Sequence, residues 1–116
     1  MKEEKEPKTA ELLRDTYIEI DLGKLEKNVK MIKEMVGEKV ALTAVIKANG
    51  YGHGAVRIAK SIMEAGADYL AVATLTEALE LRAQYADYSI LIMGHTPDRL
   101  LHHIAEKHLT QTIFSF

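Results

Sequence analysis

From residue 22 onward the apolar positions follow two rhythms in alternation. Leu22, Leu25, Val29, Ile32 and Val36 recur at steps of three and four, the spacing of one buried helical stripe. Asp21 stands where a side-chain cap is needed, and Gly37 where such a helix ends. Residues 40–46 form a short β-branched run, which predicts a strand buried on both faces. A second helix is expected over 55–65, closed by Gly66, and a second strand over 69–73. Thr74 and Glu77 have capping-box spacing before a helix running to about residue 85. A third strand follows over 89–93. Thr96 and Pro97 then read as a cap and a first-turn proline, opening a helix with Leu100, Leu101, Ile104 and Ala105 inward. Residues 110–114 read as a fourth strand. Strand and helix alternate throughout, so the expected class is α/β with a parallel sheet.

Residues 1–15 break this pattern. They are charged, contain Pro7 and lack the apolar block of a secretion signal, so they read as a mobile leader with a short helical turn over 10–14. Residues 16–116 form the folded part. Fifteen basic and seventeen acidic side chains leave a net charge of −2, which gives no overall attraction to nucleic acid. No apolar run is long enough to span a bilayer. With no targeting segment, the cytoplasm is the default compartment. Cysteine is absent, which excludes disulfides and thiolate metal sites. The five histidines do not make a metal centre: His102 and His103 are adjacent and point to different faces of a helix, and no His-Glu-x-x-His pattern occurs. His102, His103 and His108 read as a solvated helix face and end.

The chemistry concentrates at Ala44-Val45-Ile46-Lys47-Ala48-Asn49-Gly50-Tyr51-Gly52-His53-Gly54. Here an apolar strand gives way to a glycine-rich loop, and the lysine sits at the junction. A partly desolvated amine loses some preference for its charged form and can attack a carbonyl. The alternating glycines let backbone amides approach an anion, assisted by the start of the following helix. A lysine ending a strand and a glycine-rich turn are also common in α/β proteins that use neither. The loop is not a nucleotide site: no Gly-Lys-Ser/Thr follows, and the glycine spacing is not that of the dinucleotide fingerprint. His53 is placed to orient the loop by hydrogen bonds. His95 follows the third strand on the same end of the sheet, without an assigned task.

This stretch resembles the pyridoxal-phosphate attachment motif of the fold-type III alanine racemases. The resemblance continues along most of the chain: Tyr17 to Leu22 is similar to that family's opening strand, and Asn28 to an asparagine in its first helix. The segments Glu64 to Ala67, Leu70 to Ala73, Glu77 to Arg82 and Ile90 to Gly94 follow its pattern in order. The resemblance implies the N-terminal part of a (β/α)8 TIM barrel, with about four parallel strands and intervening helices. A complete barrel takes about 250 residues, so the rest of the barrel and a C-terminal β domain are expected to lie outside this chain. The chain is then a fragment, a truncated gene product or an independent half barrel.

By position, the resemblance makes Lys47 the catalytic and cofactor-holding lysine. It would carry pyridoxal 5'-phosphate and act as one of two bases at the substrate α-carbon. Tyr51 would bond the cofactor phosphate through its hydroxyl, a competent donor. Met93 aligns with a bulky apolar position near the cofactor and reads equally as barrel filling. The implied activity is interconversion of L- and D-alanine for peptidoglycan, in relatives that are homodimers. Their second base, a tyrosine of the partner's C-terminal domain, and their arginine at the ring nitrogen have no counterpart here, so these residues alone are expected not to racemise alanine. Three other readings stay open: a broad-specificity racemase of serine, lysine or arginine; a non-catalytic module that binds the cofactor or is purely structural; and, as runners-up, the fold-type III decarboxylases and small pyridoxal-phosphate homeostasis proteins. These runners-up also carry a lysine on the first barrel strand, but in different surroundings.

Overall fold

A computed structural model describes residues 13–115. Most of the charged leader, with all but the end of the turn expected over 10–14, lies outside them. Within them the chain runs α1 (Leu22–Val36), β1 (Thr43–Val45), a one-turn segment α2 (Lys47–Tyr51), α3 (Ala55–Glu64), β2 (Tyr69–Val72), α4 (Leu75–Gln84) and β3 (Ile90–Ile92). A 3₁₀ turn (Asp98–Leu100), α5 (Leu101–Glu106) and β4 (Thr110–Gln111) complete it. The four strands form one parallel sheet in the order β1-β2-β3-β4, and helices make the crossovers. Parallel strands require such crossovers, since no tight turn can reverse the chain twice.

The helix signals act as the sequence predicts. Asp21 accepts from the Lys24 amide at 3.0 Å, and Gly37 ends α1 with φ +81°, a conformation that favours glycine. Thr74 and Glu77 form a complete capping box on α4. The core lies between the sheet and α3 and α4. Leu70, Val72, Ile90 and Ile92 alternate onto one sheet face and meet Ile58, Ala59 and Ile62 of α3 and Ala78 and Leu81 of α4. Truncating Leu81, 1 % exposed, would leave a cavity in the middle of this layer.

Four expectations need correction. The run over 40–46 is not a fully buried strand: ladder pairing covers Thr43–Val45, and Val40 and Val45 are 49 % and 40 % exposed. The cause is position, because β1 is at the edge of the described sheet and has a neighbour on one side only. Tyr17 to Leu22, taken as an opening strand, joins no ladder: Tyr17 and Ile18 are exposed, Asp21 caps α1 and Leu22 is its first residue. Thr96 does not cap a helix. It is buried, and its hydroxyl donates to Gln111 Oε1 at 2.6 Å, tying the end of β3 to β4, while Leu101 and Ala105 face outward. The fourth strand is shorter than 110–114, pairing only at Thr110 and Gln111.

Lys33 of α1 reaches across to the loop before β2. Its Nζ donates to Asp68 Oδ2 at 2.8 Å and to the Val40 carbonyl at 2.7 Å, and the same carboxylate accepts from the Leu42 amide at 2.7 Å. The Lys33 hydrogen bond, then the Leu42 amide, holds the Asp68 carboxyl below its ordinary range. A carboxylate with a depressed native pKa stabilises the fold above its unfolded value, and that contribution disappears as pH falls below it. Urea unfolding should therefore show stability declining as pH drops from about 3.8 downward, with the decline reduced in Asp68→Asn. Identical acid profiles for the two proteins would contradict this role.

Candidate active site

Lys47 stands at the carboxyl end of β1, two residues beyond Val45, which pairs in register with Ala71 of β2. The backbone ladder continues to its doorstep, since the Ile46 amide donates to the Ala71 carbonyl at 2.9 Å. At this end of a parallel barrel sheet, loops after successive strands converge and active sites are built. Lys47 is half-buried, and no group among the described residues bonds its Nζ.

The segment that carries it is a turn of left-handed helix. Ala48 (φ 51°, ψ 49°), Asn49 (φ 55°, ψ 41°) and Gly50 (φ 66°, ψ 36°) lie in the left-handed region, followed by Tyr51 at φ 56° and Gly52 at φ 88°. For residues with a Cβ this costs about 1–2 kcal/mol each, so Ala48, Asn49 and Tyr51 are held there by their surroundings. The holding bonds are visible. The Gly50 amide donates to the Ile46 carbonyl at 2.8 Å, the Gly52 amide to Ala48 at 3.2 Å and the Gly54 amide to Asn49 at 2.9 Å. Asn49 Oδ1 accepts from the Ala55 amide at 2.9 Å, supplying the cap that Gly54 cannot give α3. His53 takes the orienting role expected of it, its Nδ1 donating to the Gly50 carbonyl at 2.9 Å.

These bonds change the expected chemistry of the loop. The amides of Gly50, Gly52, His53, Gly54 and Ala55 all serve the loop's own carbonyls or Asn49. They are not a free cradle for an anion. What the segment does present is the hydroxyl-bearing ring of Tyr51, 61 % exposed, on the same turn as the Lys47 amine.

Gly50 is buried at the tightest point: a Cβ there would stand 2.8 Å from Ile58 Cδ1, whereas one on Gly52 would meet nothing within 4 Å. Gly50→Ala thus combines a positive-φ penalty with a clash and should lose about 2–4 kcal/mol in urea unfolding, against about 1 kcal/mol for Gly52→Ala. Equal losses would show that Ile58 yields without strain.

Glu77 is the residue whose part in the site sequence reading missed. Its Oε1 accepts from the amides of Ala73 (2.8 Å) and Thr74 (3.0 Å), as a capping box requires. Its Oε2 accepts from the Ala48 amide, directly after Lys47, at 2.7 Å. Glu77 also lines a cavity of about 190 Å³ beside the turn, with Ile46, Asn49, Val56 and Val72 among its other walls. The capping spacing announced the first oxygen; nothing local announces a bond to a residue 29 positions away.

Elsewhere on this end, Gly94 follows β3 at a point where a Cβ would run into the Ala73 carbonyl, so the two loops can touch only through glycine. Met93 is half-buried and His95 exposed. Among the described residues no group of histidine and acidic side chains is placed to hold a metal ion, and no helix is long and apolar enough to cross a membrane.

Comparison with known proteins agrees with this architecture. Residues 20–116 match the family described as alanine racemase, N-terminal domain. The chain is 45 % identical over 102 residues to alanine racemase 2 of Caldanaerobacter subterraneus, covering 88 % of this chain and 26 % of that protein. It is 44 % identical over 107 residues to alanine racemase 1 of Bacillus subtilis, covering 92 % and 28 %. A crystal structure of alanine racemase from Bacillus anthracis with bound L-Ala-P superposes with a TM-score of 0.85 at 44 % identity, over 90 % of this chain and 27 % of that one. The chain therefore spans about a quarter of the length of these relatives. Its four parallel strands and their helices are the N-terminal part of the racemase barrel, and the chain belongs to the alanine racemase N-terminal domain family.

Proposed function

We propose that this chain is the cofactor-holding part of a pyridoxal-phosphate-dependent amino acid racemase acting on alanine. One observation carries the reading: a half-buried lysine with no bonding partner among the described residues stands at the carboxyl end of β1, on a strained turn that also carries an exposed phenol. The donor set fits the cofactor. A primary amine is the group that takes an aldehyde covalently, and a tyrosine hydroxyl donates to phosphate.

Lys47 Nζ would hold the cofactor and Tyr51 Oη its phosphate. When bound, pyridoxal phosphate would supply an electron sink for the charge left at a substrate α-carbon. Lys47 Nζ would be the base that removes or returns the substrate α-proton on one face. Ile46, 3 % exposed, anchors the residue before Lys47 in the hydrophobic core. The left-handed turn fixes where the amine leaves the backbone, which reduces the orientation entropy lost on reaction. The opposite face needs a second proton donor, which the resemblance assigns to a tyrosine of a partner subunit. A homodimer, a cytoplasmic setting and supply of D-alanine to the cell wall belong to the same reading.

Titration of the chain with pyridoxal phosphate tests it. The absorbance of the lysine-bound cofactor should appear saturably and be lost with Lys47→Ala. A chain that leaves the spectrum of free cofactor unchanged would be a structural module only.

A further inference from the structure

The geometry points to Glu77 as a positioning residue for Lys47, an inference that rests on the cofactor reading for its chemical consequence but on the hydrogen bonds alone for its structural one. Glu77 is on the first turn of α4, yet one carboxylate joins three places: the end of β2 at Ala73, the start of α4 at Thr74, and the turn after β1 at Ala48. A capping box needs only the first carboxylate oxygen. The second is directed 29 residues back along the chain, to the amide that immediately follows the candidate lysine.

That amide needs a partner of this kind. Ala48 opens the left-handed turn with φ 51° and ψ 49°, a conformation its Cβ disfavours, and its N–H cannot bond within a turn that begins one residue earlier. A carboxylate is the strongest uncharged-amide acceptor available in a side chain, and at 2.7 Å it fixes the peptide plane between Lys47 and Ala48. Fixing that plane fixes the direction in which the Lys47 side chain departs. Apart from a long 3.4 Å bond that Oε1 accepts from the Thr74 hydroxyl, the carboxylate's bonds run to backbone amides, and the Oε2 bond to Ala48 orients the lysine through the main chain.

Glu77→Gln separates this role from plain capping. The carboxamide keeps one oxygen, which can serve Ala73 and Thr74 or Ala48 but not both, and its NH₂ opposes whichever amide is left. Thr74→Ala is the control: it removes the capping hydroxyl, which accepts from the Glu77 amide at 3.3 Å and donates to Oε1 at 3.4 Å, and leaves the Oε2 bond to the Ala48 amide with both its partners. Two readouts apply to the chain, each variant first shown to be folded by circular dichroism. Hydrogen exchange at the Ala48 amide should accelerate about tenfold in Glu77→Gln and change little in Thr74→Ala. Pyridoxal phosphate, captured on Lys47 by borohydride, should bind about tenfold more weakly in Glu77→Gln alone.

Should Glu77→Gln fail to fold, Glu77→Asp carries the same comparison, since its carboxylate is one methylene too short to span both sites. Equal effects of the Glu77 and Thr74 variants on both readouts would overturn the inference, as would faster Ala48 exchange with undiminished capture. Loss of capture in the unsubstituted chain, with the exchange difference intact, would instead overturn the cofactor reading alone.

Discussion

Alanine in place of Arg82 is expected to lower the thermal midpoint of this chain by about 10 °C or more, from the loss of about 2–4 kcal/mol. No other side chain here gathers so many main-chain acceptors among the bonds described. Its Nε donates to the Lys107 carbonyl at 2.9 Å and one terminal nitrogen to His108 at 3.0 Å. The other terminal nitrogen reaches the carbonyls of Tyr85 and Ala86 at 3.0 Å and Tyr88 at 2.7 Å. These carbonyls belong to the two loops that lead into β3 and β4. Removing the guanidinium leaves the half-buried carbonyls of Tyr85 and Tyr88 without this donor, and the loss of a partner is more costly than the net value of the bond. Lysine should rescue little, because a single ammonium cannot reproduce a planar fork aimed at both loops. The effect should be confined to stability: Arg82 acts at the amino ends of the strands, the end opposite Lys47, so the folded fraction should still take the cofactor. An unchanged midpoint would contradict the clamp.

The second large effect is chemical. Lys47→Ala should abolish covalent capture of pyridoxal phosphate, with affinity falling on the order of a hundredfold to that of ordinary surface lysines. Lys47→Arg should be as defective, although it keeps the charge, because a guanidinium is always protonated and does not attack an aldehyde. Tyr51→Phe should weaken capture about tenfold while leaving the site of attachment unchanged, the size expected for one lost hydrogen bond to phosphate. A Lys47→Arg protein that binds as well as the parent would mean that the cofactor is held by charge, with no covalent bond.

Much of the scaffold is legible in the residue order because its signals are local. The three-and-four stripe of α1 reports one buried side, Asp21 and Gly37 mark its ends, and Thr74 with Glu77 marks the start of α4. The strand ends are less legible. A β-branched run predicts burial, but how much of it pairs depends on which neighbours the strand has, and β1 has one. The stretch from Thr96 failed for a related reason: its cap-and-proline signature is genuine, yet the Thr96 hydroxyl finds Gln111, a partner across the sheet.

The candidate site divides the same way. Lys47 at the end of a strand and Tyr51 four residues on are visible in the sequence, and the structure places both on one turn. The turn's handedness is not visible. Glycines at 50, 52 and 54 announce positive φ, but Ala48 and Tyr51 share it without any compositional sign, because what holds them is distributed among Asn49, His53 and Glu77. The expectation of free loop amides failed because the same bonds that stabilise the left-handed turn consume them.

Borohydride reduction of the chain with pyridoxal phosphate, followed by peptide mapping, decides whether the amine at position 47 is the one that takes the cofactor. A stoichiometric label is expected on Lys47 at cofactor concentrations that leave Lys24, Lys39 and Lys60 unmodified. A label spread evenly over the lysines, or missing from Lys47, would contradict this assignment.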